Sequence, residues 1–208
     1  MKKVLQIVLG LVIIALAYVI YNQITSTTTF NKELTIRKEA VVDRIKDIRT
    51  AQRAYKQVHQ RYTPSMDTLI DFVLNGTIDY EKRLVSEDDS AAMAELKKKG
   101  LKNVEIITMN VIDTIFGTKK VTPEDVKEFK LIPYGNGAEF IMDAGELTTE
   151  SKVVVPVFEC KAPYKTFMAD LSHQELVNLI DSEKNLNRYP GVKVGDMYQA
   201  TNDAGNWE

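Results

Sequence analysis

MKKVLQIVLGLVIIALAYVIY, residues 1–21, decides how the rest of the chain is read. Two lysines precede Val4 to Tyr21, a run broken only by Gln6 and free of charge. As a helix rising about 1.5 Å per residue it covers roughly 27 Å, close to the hydrocarbon thickness of a bilayer. Val4, Leu5, Ile7, Val8, Leu9, Leu11, Val12, Ile13, Ile14, Leu16, Tyr18, Val19, Ile20 and Tyr21 are therefore expected to anchor the chain, with membrane lipid as their partner. Tyr18 and Tyr21 suit the interfacial aromatic belt, and Lys2 and Lys3 put the N-terminus on the cytoplasmic side by the positive-inside rule.

Two processing alternatives bear on this segment. Ala15-Leu16-Ala17 has the small-x-small form of a signal-peptide cleavage site. The apolar run continues through Tyr18-Val19-Ile20-Tyr21, where a mature terminus would turn polar, so the anchor is expected to be retained. A lipoprotein would need a cysteine near the end of the run, and there is none. Either form of processing still exports the remainder of the chain.

The 208 residues are 44% hydrophobic and 27% charged, which suits one globular domain of moderate size. With 27 basic and 29 acidic residues the net charge is −2, so nucleic acid, which demands a cationic excess, is not an expected partner. Cys160 is the sole cysteine, which excludes an internal disulfide framework and a cysteine-built metal site.

Outward from the anchor, Thr25 to Thr29 is polar, and Phe30 to about Gln60 is helical in pattern. Val41, Ile45, Ile48, Ala51, Tyr55, Val58 and Tyr62 recur at three- and four-residue steps, while Arg37, Lys38, Asp43, Arg44, Lys46 and Asp47 cover the other faces. Val41, Ile45, Ile48, Tyr55 and Val58 form a candidate interaction stripe, to be weighed against plain packing on the rest of the domain. The division expected is 1–24 for the cytoplasmic stub and anchor, 25–62 for an amphipathic stalk, and 63–208 for an α+β head.

Thr63-Pro64 ends the stalk, and a second helix comes next with Leu69, Ile70, Phe72, Val73 and Leu74 inward and Asn75-Gly76 as its stop. Asp88-Asp89-Ser90 reads as the cap of a short helix over 91–99. Strands are then expected over Val104–Phe116, Glu128–Tyr134, Ala138–Leu147 and Val153–Lys161, with Gly135-Asn136-Gly137 turning a hairpin and Thr122-Pro123 opening a helical turn. Pro156 argues that its strand is at an edge or bulged, able to receive a partner's strand. Ser172-His173-Gln174-Glu175 is a capping box for a C-terminal helix carrying Leu176, Leu179 and Ile180. The fold class is α+β: the long helix, a small helical segment, and an antiparallel sheet with a C-terminal helix.

No catalytic, cofactor or metal constellation stands out. His59 near the end of the long helix and His173 in the capping box read as surface residues, and Cys160 reads as a small core residue, so no nucleophile-base pair can be assigned. Phosphate-loop and dinucleotide glycine patterns are absent, because Gly135-Asn136-Gly137 joins two expected strands. No enzyme activity and no cofactor is expected.

The order of an apolar N-terminal helix, the amphipathic run Ile48-Arg49-Thr50-Ala51-Gln52-Arg53-Ala54-Tyr55-Lys56, and Arg61-Tyr62-Thr63-Pro64 before a second helix resembles the type IV pilin and type II secretion pseudopilin design. The resemblance covers the first 75 residues or so. That family's processing motif sets a glycine before Phe-Thr-x-x-x-Glu, whereas Gly10 here precedes Leu11-Val12-Ile13-Ile14-Ala15. The resemblance implies a single-pass protein of a bacterial inner membrane, its C-terminal domain periplasmic, with a structural or assembly role in a cell-envelope or secretion-type complex. Its partners would be other envelope proteins or further copies of itself. The alternatives are an envelope module binding glycan or peptide through Tyr189, Tyr198 and Trp207, and a thiol hydrolase using Cys160.

Overall fold

The computed structural model describes residues 2–83, 85, 86, 92, 94, 98, 100, 103–119 and 121–208. The fold is α+β, as expected. α1 (Lys2–His59) is one helix of 58 residues. It has no proline and a single glycine, Gly10. Threonine is a poor helix former, yet α1 continues through Thr25–Thr29, where Thr28 Oγ1 donates to Ile24 O (2.8 Å).

From Phe30 onward α1 is part of the head's core. Val41, Ile45, Ile48 and Ala51 have no exposed surface, and Phe30 and Tyr55 are buried beside them. Each fully buried aliphatic side chain contributes about 1.5–3 kcal/mol, so the segment read as a separate stalk is inseparable from the head. The helix stops where Gln60 takes φ +60°. α2 (Met66–Asn75) starts at Ser65, whose Oγ accepts from Thr68 N (3.3 Å), and buries Leu69, Phe72 and Val73. Ile70 and Leu74 are only partly buried. Gly76 closes it because a Cβ there would lie 2.3 Å from Phe72 O.

The middle of the chain departs from expectation. β1 (Thr77–Arg83), unforeseen, pairs antiparallel with β2 (Val104–Asn110). The strand expected over Val104–Phe116 ends at Asn110, and α3 (Val111–Phe116) replaces its second half. Val111 and Phe116 are buried there and Ile112 and Ile115 partly so; the pairs Val111–Ile115 and Ile112–Phe116, each four residues apart, turn inward together on a helix, whereas a straight strand would put the two pairs on opposite faces. Of the short helix expected over 91–99, residues 92, 94 and 98 are described and are helical, while its cap and the rest lie outside the described residues. Thr122 and Asp125 form a capping box for α4 (Pro123–Lys127). Glu128–Lys130 is a 3-10 turn and not a strand, and Phe129 is buried in it. The chain does reverse at Gly135-Asn136-Gly137, but only one bridge, Leu131 to Glu139, precedes the sheet.

The sheet has the order β3-β4-β5, all antiparallel: β3 (Ile141–Thr148), β4 (Val154–Pro163) and β5 (Gly191–Gly195). Phe158, Cys160 and Ala162 alternate along β4 and are buried, as are Val192 and Val194 on β5. Between β4 and β5 lie α5 (Tyr164–Phe167) and α6 (His173–Asn185). Ser172 makes no side-chain cap bond to α6, so the expected capping box does not form. Glu175 turns to the long helix instead and accepts from Thr27 Oγ1 (2.7 Å).

Pro156 sits in the central strand of the sheet, which a proline normally cannot occupy. Thr149 N donates to Val153 O (2.9 Å), so hydrogen-bonded pairs alternate from there and the Glu146–Pro156 pair is a non-bonded one. The missing N–H therefore faces the β5 side. β5 pairs only with Glu159–Pro163, leaving Val154–Phe158 unpaired on that side. The edge read from Pro156 is thus half a strand long, in an otherwise internal strand.

Candidate membrane anchor and contact surfaces

From Ile7 to Tyr21 the large apolar side chains of α1 are 48–68% exposed, and Ile24 continues the run at 64%. Among the described residues nothing covers them. Val4 and Leu5 lie on the same helix. The N-terminal part of α1 is long and apolar enough to cross a membrane.

The candidate stripe has a different fate. Val41, Ile45, Ile48 and Tyr55 are buried against the chain's own sheet and helices, and only Val58, 42% exposed, faces outward. Packing within the head consumes that surface. The charged residues on the remaining faces are used as well. Arg37, 8% exposed, donates through Nη1 to Phe167 O (2.9 Å) and through Nη2 to Asp170 Oδ2 (2.9 Å), and its Nε meets Glu33 Oε2 (3.2 Å). The Asp170 bond raises the Arg37 pKa further and holds the Asp170 carboxyl below its ordinary value. Higher on the helix, Asp47 pairs with Lys119, Arg49 with Glu208, and Arg53 with Asp203. A helix that reads as solvated on three sides is gripped on them.

Gln52 is the least expected of these contacts, a fully buried amide. Its Nε2 donates to Thr63 O (2.7 Å), and its Oε1 accepts from Thr63 N (3.2 Å). One side chain thus satisfies both backbone groups of the turn after α1.

The residues considered for chemistry are placed apart. Cys160 is fully buried, and burial pushes its thiol up to about 12, so it is not a thiolate near neutrality. His59 stacks on Tyr55 (ring centroids 4.2 Å), and His173 is exposed at the start of α6. Among the described residues no three His, Cys, Asp or Glu side chains gather where they could hold a metal ion. Trp207 is partly buried against the core with the Arg49 guanidinium 5.9 Å from its ring centre, so it is a docking residue of the tail. Tyr189 is half-buried, and Tyr198 alone of the three aromatics stands free, at 87% exposure.

Two surfaces are open to protein contact. β5 is covered on its outer side by the tail, where Gly195 N donates to Ala204 O (3.0 Å) and Asn206 N to Lys193 O (2.9 Å). β3 has no such cover. Met142, Ala144, Glu146 and Thr148 point their backbone groups away from β4, and among the described residues only Ala144 N is taken, by the Asp143 carboxylate (2.8 Å). A groove of about 470 Å³ lined by Tyr55, Tyr62, Pro64, Ala144 and Glu146 runs beside this edge. The second surface is the β1–β2 ribbon. Ile78 is buried at its base, while Tyr80, Val104, Ile106 and Met109 are 39–65% exposed along it. The alternation of Ile78 and Tyr80 was the only sequence signal for β1. No protein-family model, curated protein or solved structure matches the chain.

Proposed function

We propose that this chain is a single-pass protein of a bacterial inner membrane, its N-terminus cytoplasmic and its head periplasmic, which serves as a structural or assembly component of a cell-envelope or secretion-type complex. The observation that carries the reading is the division of labour along α1, one unbroken helix that is bare and apolar through Ile24 and fully built into the head from Phe30 on. The helix runs without interruption through Ala15-Leu16-Ala17, which supports retention of the anchor over its removal. The same layout supports the pilin-like and pseudopilin-like resemblance. With the helix stripe consumed by the core, contact with envelope proteins or with further copies falls to the β3 edge, which can accept a strand, and to the apolar β1–β2 ribbon. Among the described residues this two-stranded ribbon meets the rest of the head at its base, and such a ribbon is marginally stable in water on its own, which favours a partner along it.

The test is fractionation of cells expressing the full chain, combined with protease treatment of spheroplasts. The protein should stay in the membrane pellet through an alkaline carbonate wash, and protease added from outside should remove the head. Recovery in the cytosol, or a head digested only after lysis, defeats the reading. Mild detergent extraction after cross-linking should recover it with a companion, and a lone monomer would count against an assembly role.

A further inference from the structure

The head has a definite end nearest the anchor. Phe158 in the upper part of β4 lies against Tyr62 (ring centroids 4.8 Å), just past the far end of α1. Beyond the other end of β4, Phe167 O meets Arg37, nearer the anchor along the part of α1 that packs in the head. β4 therefore descends toward the membrane, β5 climbs back, and everything between Tyr164 and Pro190 lies at the anchor end of the sheet. The lowest fixed point is the bond from Thr27 to Glu175 in the first turn of α6.

The height of that bond is set by helix geometry. A hydrocarbon core of about 30 Å takes roughly twenty helical residues, which from Val4 reaches Gln23. Thr27 is then about 6 Å further out, and the polar headgroup layer on each side is about 5–7 Å deep. The charge-free run independently agrees: no Asp, Glu, Lys or Arg lies between Lys3 and Lys32, a length of roughly 42 Å against about 40–45 Å for a whole bilayer. A helix is about 10–12 Å across, so α6 cannot be tied at this height without side chains among the headgroups. A tilt of about 20° would shorten the rise by only about 6%.

We propose that the anchor end of the head, above all the first turn of α6, rests in the phospholipid headgroup layer, so that the head is seated on the bilayer at a fixed height and not carried free above it. The inference rests on the membrane-spanning reading of α1. Lys184 and Arg188 at this end are matched by Asp181 and Glu183, so the contact is set by height and suits zwitterionic headgroups. Its consequence is that the β3 edge and the β1–β2 ribbon are presented to partners in one orientation.

The experiment uses the full chain in phosphatidylcholine nanodiscs, with an environment-sensitive fluorophore on single introduced thiols at Gln174→Cys, Tyr198→Cys and Ile13→Cys. Cys160 can stay, since it is buried and protonated. Gln174 is exposed and its amide bonds only to Asn178, so its replacement leaves the core intact. Tyr198 belongs to the loop beside Lys56, roughly 43 Å up the helix from Thr27. A nitroxide on the lipid headgroup should remove most of the emission at 174 and none at 198, and a nitroxide in the acyl chain should remove it at 13. If 13 is quenched while 174 is as unaffected as 198, the seated head is wrong and the anchor stands. If 13 is quenched by neither lipid, the anchor reading fails and this inference with it.

Discussion

Replacing Gln52 by leucine tests the claim that a single buried amide holds the end of α1 to the head. The side chain is fully buried, and Thr63, which it serves, is 5% exposed. Leucine matches the volume closely enough to leave no large cavity, so the transfer term is small and the hydrogen-bond term dominates. It strands Thr63 N–H and C=O, for which no other backbone partner is in place. A buried polar group left without a partner costs about 1–3 kcal/mol, so two cost about 2–6 kcal/mol, a large share of a domain's net stability. Gln52→Glu should be at least as damaging, because it keeps one acceptor, loses the donor and buries a charge. The assay is urea unfolding of the full chain in mild detergent, read by the fluorescence of Trp207, the only tryptophan, and by far-ultraviolet circular dichroism, which must agree for a two-state reading. An unfolding free energy for Gln52→Leu within about 0.5 kcal/mol of the parent would refute the reasoning, since water would then be serving Thr63 as well as the amide does.

Charge and thiol chemistry supply two more expected outcomes. Asp170 is held below its ordinary value by Arg37, so it stabilises the fold above the unfolded-state value of about 3.9 and loses that contribution as the pH falls through its lower folded value. Its side chain is 65% exposed, so Asp170→Asn should cost about 1 kcal/mol or less at pH 7, with the gap from the parent closing as the pH falls below the ordinary carboxylate range; a gap that persists in acid would show that charge is not the cause. Cys160, with its thiol at about 12, should react with maleimide at pH 7 only as fast as the head opens and accelerate sharply in urea, whereas complete native labelling within seconds would contradict its burial.

How much of the fold was legible from residues alone varied along the chain. Helix ends with local chemistry were readable: Asn75-Gly76 stopping α2 and Thr122-Pro123 opening α4, whereas Ser65 as the cap of α2 was seen only in the structure. Strand limits were not, because apolar β-branched runs such as Val104–Phe116 suit either state, and the choice of helix from Val111 onward rests on turning Val111, Ile112, Ile115 and Phe116 inward together. The same holds for the capping box at Ser172, whose Glu175 found a stronger claim on Thr27, and for Arg37 and Arg44, which read as solvated faces and are instead held by Asp170 and Glu128.

By itself the sequence determined the apolar N-terminal helix, its amphipathic continuation, the α+β class and the want of any patterned nucleophile or metal motif. These are local or compositional properties, since a run of uncharged apolar residues keeps its affinity for lipid whatever the rest of the chain does. Only the tertiary structure decided that Val41, Ile45, Ile48 and Tyr55 face the chain's own sheet and not another molecule, that β3 and not the Pro156 strand is the full-length open edge, and that Glu175 ties the head to the helix just outside the apolar span. Those outcomes depend on which segments, far apart in sequence, compete for the same helix face, and a stripe looks identical in sequence whichever of them wins.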